Sequence, residues 1–139
     1  MSRATAPKSD GHRPRLALDT SAVLAMMRDT PGGSVVGVQI HQAAISSVNW
    51  TEVVDDCRAH EVDADKLRLD LEEIGLSIVP FTAEDARRAA EFWDPSRKIR
   101  LSLSDRACLA LAKRLGVPVM TAVRAWKHLA VGVEIRLLP

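Results

Sequence analysis

Short apolar segments alternate with helix-length segments along most of the chain, and this alternation constrains the possible folds most strongly. Apolar stretches that suit strands lie at residues 16–18, 43–46, 76–80, 118–121 and 134–138. Parallel strands need long crossover connections, which are usually helices. The alternation therefore predicts an α/β fold, a three-layer α/β/α sandwich with a central parallel sheet of four or five strands.

Residues that commonly start or stop helices bound the predicted helices. The predicted N-caps are Ser47, Asp63, Thr82 and Ser104, and Gly75 and Gly116 follow two helix ends. We expect helices at 20–27, 48–60, 64–74, 83–93 and 105–115, and a short one at 34–41, where the valines would also suit a strand. The helix at 105–115 is apolar nearly all round and is predicted to be buried.

Composition sets the class of protein. The chain has 139 residues, 47% hydrophobic and 27% charged, and no apolar run approaches the roughly 18 residues of a membrane helix. Residues 1–14 are basic, with no apolar stretch behind them, so we expect a flexible arm rather than a signal peptide, and a single domain over 15–139. Cys57 and Cys108 are interpreted as buried, reduced thiols of a cytoplasmic protein.

Acidic residues fall where the predicted strands give way to helices. Asp19 ends the first strand, Glu52 lies in the first turns of the helix after the second, and Asp105 begins the buried helix. Val123 follows the fourth strand. The carboxyl ends of parallel strands meet at one edge of the sheet, so these positions are expected to converge. Clustered carboxylates are costly without a cation, which indicates a divalent-metal site with one apolar corner.

Each acid also has an ordinary structural interpretation. Asp19 would suit a helix cap, Glu52 a solvated acidic face, and Asp105 the positive end of a helix dipole. Their joint placement at one edge favours the metal site. Thr121, at the end of a strand, would suit either a group that orients a metal-bound water or a core hydroxyl. Trp50, Trp93 and Trp126 are interpreted as core or interface anchors rather than base-stacking platforms.

The net charge of +1 hides an asymmetry. Residues 52–73 contain nine acidic and three basic residues, whereas residues 87–114 contain eight basic and three acidic ones. This pattern fits two solvated helix faces, or a basic flank that holds phosphates beside an acidic site that cuts them. The candidate RNA-binding residues are Arg97, Lys98, Arg100, Arg106 and Arg124.

Three segments carry a family resemblance. Residues 18–24 (Leu-Asp-Thr-Ser-Ala-Val-Leu), 46–53 (Ser-Ser-Val-Asn-Trp-Thr-Glu-Val) and 101–110 (Leu-Ser-Leu-Ser-Asp-Arg-Ala-Cys-Leu-Ala) resemble successive motifs of the PIN-domain nucleases. Within that family the chain looks like the VapC-type toxins of bacterial toxin–antitoxin pairs. The resemblance runs in order from about residue 15 to residue 138.

The resemblance implies an activity and a set of partners. Asp19, Glu52 and Asp105 would be catalytic, with Asp19 and Asp105 holding Mg²⁺ or Mn²⁺ for hydrolysis of RNA, such as tRNA or rRNA. A cognate antitoxin would wrap the chain through its C-terminal segment, and apolar residues near Met26, Val36 and Trp50 would help to form that surface. Pairing of two toxin chains is also implied.

The fourth motif departs from the family pattern. Most relatives read Thr-Ala-Asp-Arg-Ala-Trp, whereas residues 121–126 read Thr-Ala-Val-Arg-Ala-Trp. Valine cannot bind a metal, so we expect a weakened ribonuclease; the alternative is a catalytically inactive PIN-fold module that binds RNA or an antitoxin. A phosphoacceptor receiver would need an aspartate after the third strand, where Val79, Pro80 and Phe81 stand. A haloacid-dehalogenase-type phosphatase would need a second aspartate at Ser21.

Overall fold

A five-stranded parallel sheet organises the chain in a computed structural model that describes residues 13–139. Its strands are β1 (Leu16–Leu18), β2 (Ala43–Ser46), β3 (Ser77–Val79), β4 (Val119–Thr121) and β5 (Ile135–Leu137). Their order in the sheet is β3-β2-β1-β4-β5, and every neighbouring pair is parallel. The predicted fold class is confirmed. Residues 1–12 of the predicted arm lie outside the described residues.

Within residues 13–139, six α-helices connect or flank the strands. They are α1 (Thr20–Met27), α2 (Gly33–Gly37), α3 (Ser47–Ala59), α4 (Ala64–Ile74), α5 (Ala83–Glu91) and α6 (Leu103–Leu115), with 3₁₀ turns at Ile40–Gln42 and Arg124–His128. Between residues 13 and 139, no helix is both long and apolar enough to cross a membrane.

Two predicted helix starts were wrong by one or two residues. Ser46, rather than Ser47, caps α3, because its hydroxyl oxygen accepts the Val48 amide at 3.2 Å. Ser102, rather than Ser104, caps α6. The predicted helix at 34–41 is divided between α2 and the following 3₁₀ turn.

Two apolar cores lie on opposite faces of the sheet, because successive side chains of a strand point to opposite faces. Leu16 and Leu18 enter a core with helices α1 to α4, whereas Ala17 enters a core with α5 and α6. Small alanines on the second face let α6 approach the sheet closely. Most of α6 is buried, as predicted from its composition.

The side chains expected to face an antitoxin instead serve the first core. Val36 is fully buried and Trp50 is only 8% exposed, and the partly buried Met26 packs against the same cluster. The prediction that these three positions expose apolar surface to an antitoxin was wrong, because Met26 of α1, Val36 of α2 and Trp50 of α3 pack in or against the first core. Trp126 is also core, whereas Trp93 is 64% exposed. Both cysteines are free and buried, as predicted.

Helix α2 depends on a glycine where it meets α1. A β-carbon at Gly33 would lie 2.4 Å from the carbonyl oxygen of Ala25, whereas one at Gly37 would first meet Met26 Cγ at 4.0 Å. We predict that Gly33→Ala lowers the free energy of unfolding by about 1–3 kcal/mol through overpacking. Gly37→Ala should be neutral or stabilising by up to about 1 kcal/mol. Urea unfolding measures both, and equal effects would contradict the close approach of the two helices.

Candidate active site at the carboxyl edge of the sheet

Asp19 stands at the end of the central strand β1 and is only 3% exposed. It is also the N-cap of α1, because its Oδ1 accepts the Ala22 amide at 2.9 Å. The predicted role of Asp19 as a helix cap is therefore confirmed. A cap does not require burial, however, so capping alone does not explain why this carboxylate lies inside the protein.

Two hydroxyl groups hold the Asp19 carboxylate. The Ser21 hydroxyl donates to Oδ1 at 2.7 Å, and the Thr121 hydroxyl donates to Oδ2 at 2.6 Å. The Ala122 amide donates to Ser21 Oγ at 2.9 Å, and the Val123 amide donates to Thr121 Oγ1 at 3.0 Å. Since each hydroxyl oxygen accepts an amide, its own proton is directed to Asp19. The backbone after β4 thus orients Asp19, whatever side chain occupies position 123.

Glu52 links the beginnings of two helices. The Thr20 hydroxyl donates to its Oε1 at 2.5 Å, and the Ser104 hydroxyl donates to its Oε2 at 2.9 Å. Thr20 follows Asp19 and Ser104 precedes Asp105 in the sequence. The three predicted acids are therefore connected by hydroxyl groups that are the direct chain neighbours of two of them.

Asp105 has a capping role of its own in α6. Its Oδ2 accepts the Ser102 amide at 2.8 Å, and its amide donates to Ser102 Oγ at 3.1 Å, which makes a reciprocal capping box. The box fixes the carboxylate at the start of the buried helix. Asp105 is half-buried, so part of it faces the solvent.

The electrostatics of the edge are unfavourable for an isolated carboxylate. Burial raises the pKa of Asp19; hydrogen bonds from Thr121, Ser21 and Ala22 offset this in part, and the charge of Asp105 raises the pKa further. Among residues 13–139, no Lys, Arg or His side chain pairs with Asp19, Glu52 or Asp105. Negative charge therefore gathers here without a protein cation to balance it.

A buried thiol lies beside the same charges. Burial raises the pKa of Cys108 well above its usual value, and the charges of Asp19 and Asp105 raise it further. The thiol consequently stays protonated at neutral pH and belongs to the second core rather than to the donor set of the site.

The donor set consists of hard oxygen ligands. Within the described part of the chain, no three His, Cys, Asp or Glu side chains gather closely enough to hold one metal ion, so the expected three-acid cluster does not exist as such. Asp19 and Asp105 remain within electrostatic range of each other. Magnesium commonly takes only one or two carboxylates and keeps several waters, so these two side chains fit such an ion chemically.

Position 123 reaches the predicted edge. Val123 directly follows Thr121 and Ala122, is 36% exposed, and contributes its amide but no side-chain ligand. Asp94, a possible substitute acid, is engaged elsewhere, because its Oδ1 accepts the Ser96 amide at 2.9 Å and the Ser96 hydroxyl at 2.7 Å. The corner that the fourth motif would fill with a carboxylate is thus apolar.

Sequence reasoning undervalues the hydroxyl residues of the edge. Ser104 is predicted only as a helix cap, and Thr20 and Ser21 are not predicted as site residues, yet all three hydroxyls donate hydrogen bonds to the predicted acids. The available signal is position, because each of them lies within two residues of Asp19 or Asp105 in the sequence.

The five predicted RNA-binding residues do not share one location. Arg97, Arg100 and Arg106 line a cavity of about 530 Å³ beside the start of α6. Lys98 lines a neighbouring cavity together with Arg97. Arg124 instead donates to the carbonyl oxygen of Leu138 at 2.5 Å, which ties the turn after β4 to the end of the chain.

The chain belongs to the PIN domain family, whose sequence model matches residues 16–131. Members of this family are generally nucleases and generally use divalent metal ions. Among proteins with curated descriptions, none matches this sequence.

Solved structures share the fold at low sequence identity. A chain of a toxin–antitoxin complex from Klebsiella pneumoniae is 18% identical, with a TM-score of 0.66 over 86% of this chain and 99% of that one. A chain of VapBC2 from Rickettsia felis, bound to a DNA fragment from its promoter, is 14% identical, with a TM-score of 0.65 over 89% and 98%. A chain of DNA-bound VapBC from Salmonella typhimurium is 16% identical, with a TM-score of 0.57 over 88% and 96%.

The raised pKa of Asp19 predicts a pH-dependent stability in the absence of metal. Because the pKa of Asp19 is higher in the folded state than in the unfolded state, ionisation of this carboxyl costs more free energy in the folded protein than in the unfolded chain. This cost is absent below the unfolded pKa and grows as the pH rises through the folded pKa. The neutral Asp19→Asn variant should cap α1 nearly as well. It should therefore gain stability relative to the unmodified chain as the pH is raised from about 4 to 7.

Urea unfolding in EDTA across this pH range measures the difference. Asp63→Asn is the matched control, since Asp63 is an exposed N-cap, at the start of α4. Subtracting its profile removes the general effect of replacing a capping carboxylate. A difference for Asp19→Asn that stays flat, or that falls with rising pH, would contradict the unfavourable burial of Asp19.

Proposed function

We propose that this PIN domain is a metal-dependent endoribonuclease toxin of the VapC type, weakened by valine at the fourth acidic position. The observation that carries the proposal is the buried Asp19 carboxylate, which lies within electrostatic range of Asp105 and forms no ion pair with a basic side chain of residues 13–139. Such a pair of carboxylates is stabilised by a divalent cation. Family membership supports nuclease chemistry, and the substrate class, RNA such as tRNA or rRNA, follows from the resemblance to the toxins.

Each side chain of the edge has a distinct role in this proposal. Asp19 and Asp105 hold the ion, and the Ser21 and Thr121 hydroxyls keep the Asp19 oxygens in a fixed orientation. Glu52, held by Thr20 and Ser104, accepts a proton from the attacking water. A bound Mg²⁺ or Mn²⁺ would activate water for in-line attack on the phosphodiester and stabilise the leaving oxygen.

An antitoxin is the proposed protein partner. The similar chains of known structure come from toxin–antitoxin or VapBC complexes, and two of those complexes are bound to DNA. By analogy, a cognate antitoxin would cover the acidic edge of this chain and neutralise it. Pairing of two copies of the chain and a cytoplasmic location belong to the same analogy.

A non-catalytic module is the second candidate function. The observation in its favour is Val123, which supplies no oxygen ligand to the edge. In that case the same fold would bind RNA or an antitoxin without cutting. The two functions differ in one measurable property, which is RNA cleavage that depends on a divalent ion.

Restoring the fourth acid should strengthen the nuclease. We predict that Val123→Asp raises the rate of total RNA cleavage in Mn²⁺ by about 10–100-fold, the usual cost of losing a group that supports a metal site. Val123 is partly exposed, so the substitution leaves the core intact. In EDTA the variant should be no more stable than the unmodified chain, because the fourth carboxylate adds repulsion.

The controls separate ion binding from folding. Asp105→Asn should abolish cleavage both in the unmodified chain and when combined with Val123→Asp, and EDTA should do the same. If Val123→Asp cleaves no faster than the unmodified chain, the proposed role of position 123 is wrong. If none of these proteins cleaves RNA in Mn²⁺, the non-catalytic module is the better description.

A further inference from the structure

A cavity of about 530 Å³ opens between the end of α5 and the start of α6. Its walls combine an exposed aromatic ring, three guanidinium groups and the first residues of α6. The residues that matter for its chemistry are Trp93, Arg97, Arg100, Ser102, Leu103 and Arg106. A concave site with this composition suits a ligand that carries both negative charge and a flat apolar surface.

The positive charge of the cavity is not neutralised by the protein. In the described part of the chain, none of Arg97, Arg100 and Arg106 forms an ion pair with a carboxylate. The Nε atoms of Arg97 and Arg106 are also buried and lack a hydrogen-bond acceptor. Such donors show that these two side chains lack a complete set of protein hydrogen bonds. A guanidinium group without a carboxylate partner can form charge-assisted hydrogen bonds with phosphate oxygens. The one acid in the wall, Asp94, already accepts two hydrogen bonds from Ser96.

The aromatic residue of the cavity, Trp93, is far more exposed than the other two tryptophans of the chain. Trp93 is 64% exposed, whereas Trp50 and Trp126 are 8% and 1% exposed. Leu103, which is 54% exposed, provides a second apolar surface in the same cavity. Single-stranded nucleic acids are bound by grooves that pair aromatic platforms for the bases with cationic groups for the backbone. The exposure of Trp93 excludes the predicted role of core anchor and leaves an interface anchor or a stacking surface.

The cavity adjoins the acidic edge. Ser102 lines the cavity and also donates its amide to the Asp105 carboxylate at 2.8 Å. Arg106 lines the cavity and is the next residue after Asp105, and its Nη1 donates to the Ala89 carbonyl at 3.3 Å, which restrains its guanidinium group. The cavity and Asp105 therefore share the start of α6, so an RNA strand bound in the cavity would lie beside the acidic edge.

We propose that this cavity binds one unpaired nucleotide of a single-stranded RNA segment. The base stacks on Trp93, and the phosphate contacts Arg97, Arg100 and Arg106. A base inside a duplex cannot present its face to a side chain, so the cavity selects loops and single strands over helical RNA. The position of this nucleotide next to the cleaved bond rests on the proposed nuclease function, whereas the binding itself does not.

Binding in EDTA tests the proposal without cleavage. A labelled oligouridylate of about ten nucleotides, within the usual site size for single-strand binding, is titrated with the full chain, and its fluorescence anisotropy gives the affinity. Trp93→Ala should weaken binding by about 5–150-fold, the usual effect of losing one stacked base. Arg100→Gln should weaken it as well and reduce the salt dependence of log Kd by about 0.7, the contribution of one phosphate contact to a single strand. A duplex of the same length should bind the unmodified chain more weakly than the single strand.

Two control variants match the chemistry but lie elsewhere. Arg58→Gln removes an exposed arginine of α3, and Leu69→Ala removes an apolar side chain of α4 that is 57% exposed. Both should bind the oligonucleotide like the unmodified chain. Quenching of tryptophan fluorescence should accompany binding, since Trp93 is the most exposed indole, and should be largely lost in Trp93→Phe.

Three results would overturn the proposal. They are unchanged affinity in both Trp93→Ala and Arg100→Gln, equal affinity for duplex and single strand, and a requirement for Trp93 in antitoxin binding but not in RNA binding. The last result would identify the cavity as a protein-docking site. Trp93-dependent binding together with a Val123→Asp variant that does not cleave would support the cavity while contradicting the nuclease.

Discussion

The proposed site depends on one carboxylate, that of Asp19, which is buried at the carboxyl end of the central strand. Asp19 ends the middle strand, caps α1, and is tied to β4 through Thr121, so one side chain connects three elements. Burial of an ionised carboxylate without a counter-charge costs several kcal/mol, by general estimates, and neutral donors recover only part of this cost. The raised pKa of Asp19 reflects the part of the burial cost that these hydrogen bonds do not recover. A divalent cation at the edge would remove it, and this is the physical basis of the proposed site.

The rest of the edge follows from the same constraint. Parallel strands bring the starts of α1, α3 and α6 together, and the hydroxyls beside Asp19 and Asp105 then meet Glu52. The edge keeps its shape through backbone amides and hydroxyls, so replacement of the fourth acid by Val123 leaves the network around Asp19 intact. The hydrogen bonds that orient Asp19 therefore do not require a carboxylate at position 123.

The sequence predicts the sheet, and the proximity of Asp19 to Asp105 at its carboxyl edge, because both depend on local patterns. Apolar stretches such as residues 16–18 mark strands, and the strand-end rule for parallel sheets places Asp19 and Asp105 together. The helix at 34–41 is less well predicted, because its valines suit either structure. Serine caps are misplaced where two serines lie close together, as at Ser102 and Ser104, since only the reciprocal bond to Asp105 distinguishes them.

The hydroxyl network and the arginine cavity are beyond sequence reasoning for a different reason. Contacts such as Ser104 to Glu52 join residues that are far apart in the sequence, and they depend on side-chain conformations set by packing. The cavity depends on the irregular path of residues 92–102, which follows no periodic pattern. The prediction of an exposed apolar surface near Val36 and Trp50 was also wrong, because apolar character alone does not distinguish a core residue from an interface residue.

Stabilisation by Mn²⁺ tests the cation site most directly. At a free concentration about 100 times its Kd, an ion that binds only the folded state adds about 2.7 kcal/mol of stability and raises Tm. We predict this Tm increase for the unmodified chain and for Asp63→Asn, and its loss in Asp19→Asn. An equal Mn²⁺-induced increase in Asp19→Asn and in the unmodified chain would show that the ion binds elsewhere, and would contradict a cation site at Asp19.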